Sequence, residues 1–118
     1  MVSYTDLALQ RIVRVTAGET VQDDLAPHDL RYAVGGDTCY PCKLIRVMTP
    51  TGGRLQLNAT VVGRAGMNLW VNGTRFTADG LSVNADAPVS AGEVVVYAGF
   101  LQDTNAYVKF TMTTALMP

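Results

Sequence analysis

Apolar and polar side chains alternate strictly along two segments of this chain. In Arg54–Val61 (R-L-Q-L-N-A-T-V) an apolar residue stands at every second position, and Ala106–Thr113 (A-Y-V-K-F-T-M-T) repeats the pattern. Successive side chains of a strand point to opposite faces, so each segment predicts a β-strand with one buried face and one solvated face. An amphipathic helix would instead need apolar residues three and four positions apart.

Two shorter runs extend this pattern, Met67–Asn72 and Val94–Phe100, and Lys43–Met48 is a further run rich in β-forming residues. Turn-forming residues separate the runs. The pair Asn72-Gly73 predicts a two-residue hairpin, because both residue types tolerate the positive φ of a type I′ turn. Short strands about ten residues apart with such turns are typical of sandwiches and barrels. The predicted fold is therefore all-β, an antiparallel two-sheet β-sandwich of jelly-roll-like form.

The 118 residues are expected to form a single domain over residues 1–118, a size that buries enough surface for a hydrophobic core. Residues 1–14 are predicted to form an N-terminal arm or an edge strand, and a turn of helix is predicted near Tyr4–Leu9. No signal peptide is visible in the sequence, since no basic segment followed by an apolar one stands at its beginning.

A short motif occurs twice, as V-T-A-G-E-T-V at Val15–Val21 and as V-S-A-G-E-V-V at Val89–Val95. The residues around the two copies do not align further, so we interpret them as one kind of turn used twice and not as a duplication. Gly18 and Gly92 are expected to supply an unusual φ, and a strand is expected to follow each copy.

Four segments of the chain together resemble the bacterial pre-peptidase C-terminal domain. They read L-I-R-V-M-T-P-T-G-G-R-L-Q-L, M-N-L-W-V-N-G, V-S-A-G-E-V-V-V-Y-A-G and A-Y-V-K-F-T-M-T-T, and they span Leu44–Thr114. That family is a jelly-roll-like β-sandwich found beside secreted peptidases and other hydrolases. The resemblance implies this fold and a non-catalytic accessory role. The acidic residue that usually opens one strand of the family is Asn68 here, so the family's calcium site is not carried over.

Composition and charge exclude some classes of binding partner from the prediction. The chain has 9 basic and 10 acidic residues and a net charge of −1, so neither nucleic acid nor a membrane surface is predicted as a partner. No apolar run reaches the roughly 18 residues that a membrane-spanning helix needs. Hydrophobic residues make up 48% of the chain and charged residues 16%, which favours a folded domain over a disordered one.

The motif C-Y-P-C at Cys39–Cys42 has four interpretations: a disulfide, a redox pair, half of a zinc site, or two free thiols. The redox motif needs a helix after the first cysteine, whereas the next residues predict a strand. Zinc needs about four ligands, and the chain has a single histidine, His28. A structural disulfide is favoured, and it would indicate an oxidising location.

No catalytic residue is predicted. A catalytic role of His28 would pair it with Asp29 and a serine, but no nucleophile elbow or oxyanion loop accompanies them, so the protein is not predicted to be an enzyme. Asp23, Asp24 and Asp29 form an acidic cluster in which calcium is conceivable. Because the spacing of an EF-hand is absent, we interpret this cluster as a solvated loop and predict neither a metal nor a cofactor.

Trp70, Tyr97 and Tyr107 are the candidate binding residues. The alternation places all three on the side opposite the predicted core. Exposed aromatic rings on strands stack on sugars or anchor protein interfaces. The alternative interpretation is that a loop covers them, or that the inward face of one strand is assigned wrongly.

Two functions follow from these observations. The first is a non-catalytic structural or assembly protein that docks on a larger surface or self-assembles, such as a virion decoration protein or an extracellular filament subunit. The alternative is a secreted accessory module that binds polysaccharide or protein with the three aromatic residues. Both place the protein outside the cell or on a virion surface.

Overall fold

The computed structural model describes residues 12–118, which form ten β-strands. Between residues 12 and 118 there is no helix long and apolar enough to cross a membrane. The strands are β1 (Val13–Thr16), β2 (Thr20–Leu25), β3 (Leu30–Val34), β4 (Asp37–Thr49), β5 (Gly53–Val62), β6 (Asn68–Val71), β7 (Thr74–Phe76), β8 (Ser82–Val89), β9 (Gly92–Leu101) and β10 (Val108–Met117).

The strands form two sheets packed as a sandwich, which confirms the predicted fold class. Sheet A has the order β1-β4-β9-β6-β7, with β3 also paired to β4, and sheet B has the order β2-β10-β5-β8. The chain passes repeatedly from one sheet to the other, as in jelly rolls.

One part of the prediction is wrong, because the sandwich is not strictly antiparallel. Strand β1 pairs parallel to β4, with Val13 opposite Ile45 and Thr16 opposite Met48. No hairpin joins these two strands, since the chain leaves β1 through a turn that leads to β2 in the other sheet. Only a tight hairpin would have forced them to be antiparallel. Sheet A is therefore a mixed sheet.

The core lies between the sheets and follows the predicted alternation. The inward side chains of β5 and β9 are buried, and those of β10 join them. Burying a large aliphatic or aromatic side chain stabilises the fold by roughly 1.5–3 kcal/mol. These residues are Leu55, Leu57, Ala59 and Val61 on β5, Val94, Val96, Ala98 and Phe100 on β9, and Val108, Phe110 and Met112 on β10.

The predicted hairpin at Asn72-Gly73 and the turns at Gly18 and Gly92 are confirmed. Asn72 and Gly73 have φ values of 51° and 81° and join β6 to β7. Gly18 has a φ of 105° between β1 and β2, and Gly92 has a φ of 133° at the start of β9. Both copies of the repeated motif are therefore turns that lead into a strand.

The prediction for the N-terminal segment concerns residues 1–14, most of which lie outside the described residues. Only its last residues are described, where Val13 and Arg14 belong to the edge strand β1. The turn of helix predicted near Tyr4–Leu9 lies wholly outside the described residues.

Candidate functional site

A hairpin of β3 and β4 covers Trp70 on the outer face of sheet A. The Trp70 side chain is 0% exposed, and its Nε1 donates a hydrogen bond to Asp37 Oδ2 at 3.0 Å. The hairpin tip touches the β6–β7 turn so closely that a Cβ at Gly35 would overlap the carbonyl oxygen of Gly73. The prediction that Trp70 is exposed is therefore wrong. The alternation correctly placed the Trp70 side chain on the face opposite the main core, but the β3–β4 hairpin covers that face.

A second small cluster forms beneath this hairpin, separate from the main core. Its buried members are Val34, Cys39, Cys42 and Trp70. Cys39 and Cys42 form a disulfide, which confirms the favoured interpretation of C-Y-P-C. The disulfide closes a β-bulge, because Cys39 pairs with Leu101 and Cys42 with Gly99 across β9. Bulges bend a strand, which accords with the first part of β4 folding over the sheet with β3.

The two predicted tyrosines have different surroundings. Tyr97 is partly buried, and its ring centroid lies 5.1 Å from that of Tyr32 on the covering hairpin. Tyr107 is 57% exposed and lies just before β10 in sheet B. The structure does not bring Trp70, Tyr97 and Tyr107 together as one stacking surface.

We expect the Tyr32→Phe variant to lose less stability than the parent protein as the pH rises above 10. Burial raises the pKa of Tyr32 above its ordinary 10.0, and the neighbouring Tyr97 phenol raises it further. The unfolded chain therefore releases this proton at a lower pH than the folded protein. The stability that the protonated Tyr32 phenol contributes is complete below its pKa in the unfolded chain. It is lost as the pH rises through the pKa of Tyr32 in the folded protein.

Urea unfolding at about pH 9 and about pH 11 measures this effect, with Tyr107→Phe as the matched control at an exposed position. Equal losses of stability in the parent protein and Tyr32→Phe between these pH values would contradict the expectation.

The acidic cluster contains a buried ion pair. Lys43 Nζ lies 3.1 Å from Asp29 Oδ1 and 3.8 Å from Asp23 Oδ2, and the Lys43 side chain is only 9% exposed. Asp29 is buried as well, and its Oδ2 accepts a hydrogen bond from the Ala26 backbone at 3.0 Å. The interpretation of this cluster as a solvated loop is therefore wrong, because Asp23 and Asp24 lie half-buried on β2 and Asp29 is buried. Lys43 of β4 in sheet A is thus connected to Asp29 in the loop between β2 and β3, and to Asp23 on β2 of sheet B.

Lys43 was not among the predicted site residues, although a lysine directly before the apolar residues of a predicted strand is visible in the sequence. Within residues 12–118, no group of three or more His, Cys, Asp or Glu side chains is arranged to hold a metal ion. His28 is exposed beside this ion pair.

The outer face of sheet B carries amide and hydroxyl side chains at the positions that alternate with the core. We call these residues the amide–hydroxyl face. They are Thr20 and Gln22 on β2, Thr111 and Thr113 on β10, Gln56, Asn58 and Thr60 on β5, and Ser82 and Asn84 on β8.

Two cavities open on this face. One, of about 450 Å³, is lined by Gln56, Asn58, Asn84 and Thr113 among others. The second, of about 410 Å³, is lined by Gln22, Asp23, Asp24, Thr60, Val62, Lys109, Phe110 and Thr111. Both volumes fall within the range of ligand sites, which is about 300–1,000 Å³. We take this face as the candidate binding site.

The sequence showed only part of this site. The polar alternation of β5 was visible in the sequence, but polar residues on an exposed strand are ordinary. What makes the face a site is the pairing of four strands, which brings Asn84 and Thr113 next to Asn58. No local pattern indicates that pairing.

No family model matches the sequence, and no curated protein matches it. Solved structures with a similar fold are known. The pre-peptidase C-terminal domain of collagenase from Bacillus anthracis has a TM-score of 0.63 at 11% identity, over 87% of this chain and 93% of that one. The Podospora anserina GH26-CBM35 β-(1,4)-mannanase has a TM-score of 0.51 at 14% identity, over 86% of this chain and 29% of that one.

At these identities the similarity is one of fold. The resemblance noticed from the sequence over Leu44–Thr114 is confirmed, and in the structure it extends over most of the chain. The protein has the β-sandwich fold of the pre-peptidase C-terminal domain.

Proposed function

We propose that this protein is a non-catalytic accessory module that binds a polysaccharide on the amide–hydroxyl face of sheet B. The observation that carries the proposal is the pair of cavities on that face, where amide and hydroxyl groups lie among apolar side chains and a few charged ones. The fold adds support, because similar structures include a domain of a collagenase and a GH26-CBM35 mannanase.

The chemistry of the face suits a sugar polymer. A sugar hydroxyl both donates and accepts hydrogen bonds, and so do the side chains of Asn, Gln, Ser and Thr. Aliphatic and aromatic surface complements the faces of sugar rings. Val62 is 73% exposed beside the second cavity, and the exposed Tyr107 lies two residues before Lys109, which lines that cavity.

Of the three aromatic residues predicted from the sequence, we retain Tyr107 as the one that contacts the ligand. Trp70 is covered, and Tyr97 packs against Tyr32. The first function inferred from the sequence, a virion or filament assembly subunit, thereby loses two of its three exposed aromatic anchors. The disulfide between Cys39 and Cys42 favours a location outside the cell.

Depletion of the protein from solution by insoluble polysaccharides tests the proposal. We expect the intact protein to bind at least one of cellulose, mannan, xylan, chitin or cross-linked alginate. The Tyr107→Ala variant is expected to bind roughly three- to tenfold more weakly, as expected for the loss of one aromatic contact.

The matched control is Glu93→Gln, because Glu93 is exposed on sheet A away from the face. Binding that responds equally to Glu93→Gln and Tyr107→Ala would argue against this face. Absence of binding to every polysaccharide would refute the proposed function for the polymers tested.

A further inference from the structure

Strand pairing arranges the amide–hydroxyl face in rows that run across sheet B. Successive rows are two residues apart along each strand, which is about 6.7 Å. The first row is Gln22, Thr111, Thr60 and Ser82, the second is Thr20, Thr113, Asn58 and Asn84, and the third is Ala115, Gln56 and Asp86. A polymer that lies along the strands would meet a polar row at each step.

The formal charges at the outward positions of these four strands are balanced. Arg54 Nε lies 2.8 Å from Asp86 Oδ1 at one end of the face. At the other end Lys109 and Asp24 are directly opposite one another on β10 and β2. Each positive charge thus has a negative neighbour, and Asp23, which also lines the second cavity, lies 3.8 Å from Lys43 Nζ. Since these charges are paired, the face has no net charge with which to attract an anionic or a cationic polymer.

Several amides of the face are already held in place without a ligand. The side chains of Asn58 and Asn84 are hydrogen-bonded to each other, and Gln56 Nε2 donates to Asp86 Oδ2 at 3.4 Å. A primary amide has two N–H donors and an oxygen that accepts two bonds, so one such bond leaves further capacity for a ligand. Groups that are fixed before binding lose less entropy when the ligand arrives.

The two cavities follow one another along the same pair of strands. The first is lined by Gln56 and Asn58 of β5, and the second by Thr60 and Val62, the next outward positions of that strand. Their volumes, about 450 and about 410 Å³, are nearly equal. Two similar cavities in line suit a ligand that repeats along its length better than a single compact molecule.

From these observations we infer that the ligand of the amide–hydroxyl face is a neutral, linear polysaccharide that lies along β5 and β10. This inference rests on the proposed function and adds the class of polymer. Uncharged amides and hydroxyls recognise the sugar hydroxyls, and the balanced charges at the two ends contribute no selectivity for uronate or amino sugars.

Affinity electrophoresis in native gels tests the class of polymer. The protein is run through gels that contain neutral polymers (galactomannan, hydroxyethylcellulose, arabinoxylan, mixed-linkage glucan) or charged ones (alginate, polygalacturonate, chitosan). We expect retardation by at least one neutral polymer and by none of the charged ones. The affinity is expected to change less than about twofold between about 20 mM and about 300 mM NaCl, because screening weakens only charged contacts.

The double variant Gln56→Ala/Asn58→Ala is expected to weaken the binding at least about tenfold, because several direct hydrogen bonds are lost. Glu93→Gln should leave it unchanged. Both altered side chains of the double variant point to solvent, and circular dichroism with a thermal melt verifies that the variant is folded.

The outcomes separate this inference from the proposed function. Preferred binding of a charged polymer that weakens steeply with salt and is abolished by the double variant would overturn the neutral class, while the binding module would stand. Binding of neutral polymers that does not respond to the double variant would overturn the inferred position. Retardation by no polymer of either class would overturn both.

Discussion

Replacing Trp70 by alanine is expected to lower the free energy of unfolding by about 3–5 kcal/mol, the range measured for large aromatic residues in closed cores. The side chain is fully buried beneath the β3–β4 hairpin, and its Nε1 bonds to Asp37. The substitution removes the largest side chain of that small cluster and leaves a cavity that the covering hairpin cannot fill. Urea unfolding followed by far-UV circular dichroism measures the change.

Two further variants separate packing from hydrogen bonding at this position. Trp70→Phe keeps most of the packing and loses the N–H donor, so its cost is expected to be smaller, about 1–2 kcal/mol. Leu81→Ala, at a position that is 54% exposed, is the control and is expected to change stability by less than about 0.5 kcal/mol. If Trp70→Ala cost no more than Leu81→Ala, the hairpin would not cover Trp70 in solution.

Replacing Lys43 by methionine is the second change with a large expected effect, again about 3–5 kcal/mol of lost stability. Methionine fills much of the space of the lysine stem but removes the ammonium group. Asp29 would then keep its buried charge without the cation that lies 3.1 Å from it. The charge of a buried carboxylate is costly unless it is paired and hydrogen-bonded. Urea unfolding at neutral pH measures the loss.

A double variant tests whether the ion pair itself causes this loss. Adding Asp29→Asn removes the charge but keeps an oxygen that can accept the hydrogen bond from the Ala26 backbone. We expect Lys43→Met/Asp29→Asn to be more stable than Lys43→Met alone, by at least about 1 kcal/mol. Lys109→Met, at an exposed lysine on β10, is the matched control. If the changes in stability caused by Lys43→Met and by Asp29→Asn simply added in the double variant, the two groups would not be coupled.

Strands β5 and β10 were predictable because each has one solvated face and one buried face. The alternation in Arg54–Val61 corresponds to the observed burial of β5 residue by residue. The Asn72-Gly73 turn was predictable for a related reason, since the conformation of a two-residue hairpin depends on the two residues themselves. In both cases the information lies within a few consecutive residues.

The burial of Trp70 could not be predicted from the local sequence pattern. In β6 every residue is buried, because one side packs on the main core and the other on the covering hairpin. Alternation tells which residues share a face, but it does not tell whether a face meets solvent. That depends on the β3–β4 hairpin, whose Asp37 lies 33 residues before Trp70 in the chain.

Two other features are not predictable from a local pattern: the parallel pairing of β1 with β4 and the ion pair between Lys43 and Asp29. Each joins segments whose approach depends on the path of the whole chain between them. The amide–hydroxyl face is likewise a product of four strands from separate parts of the sequence.

The fold class, several strands, the Asn72-Gly73 hairpin and the disulfide could be inferred from the residues alone, because these features depend on side-chain alternation, backbone conformation and short spacing. Which outer face is covered and which is open could be seen only in the folded chain. The covering hairpin and the polar rows arise from contacts between residues distant in sequence. Because of those contacts, the candidate site lies on the amides and hydroxyls of sheet B and not on the aromatic residues of sheet A.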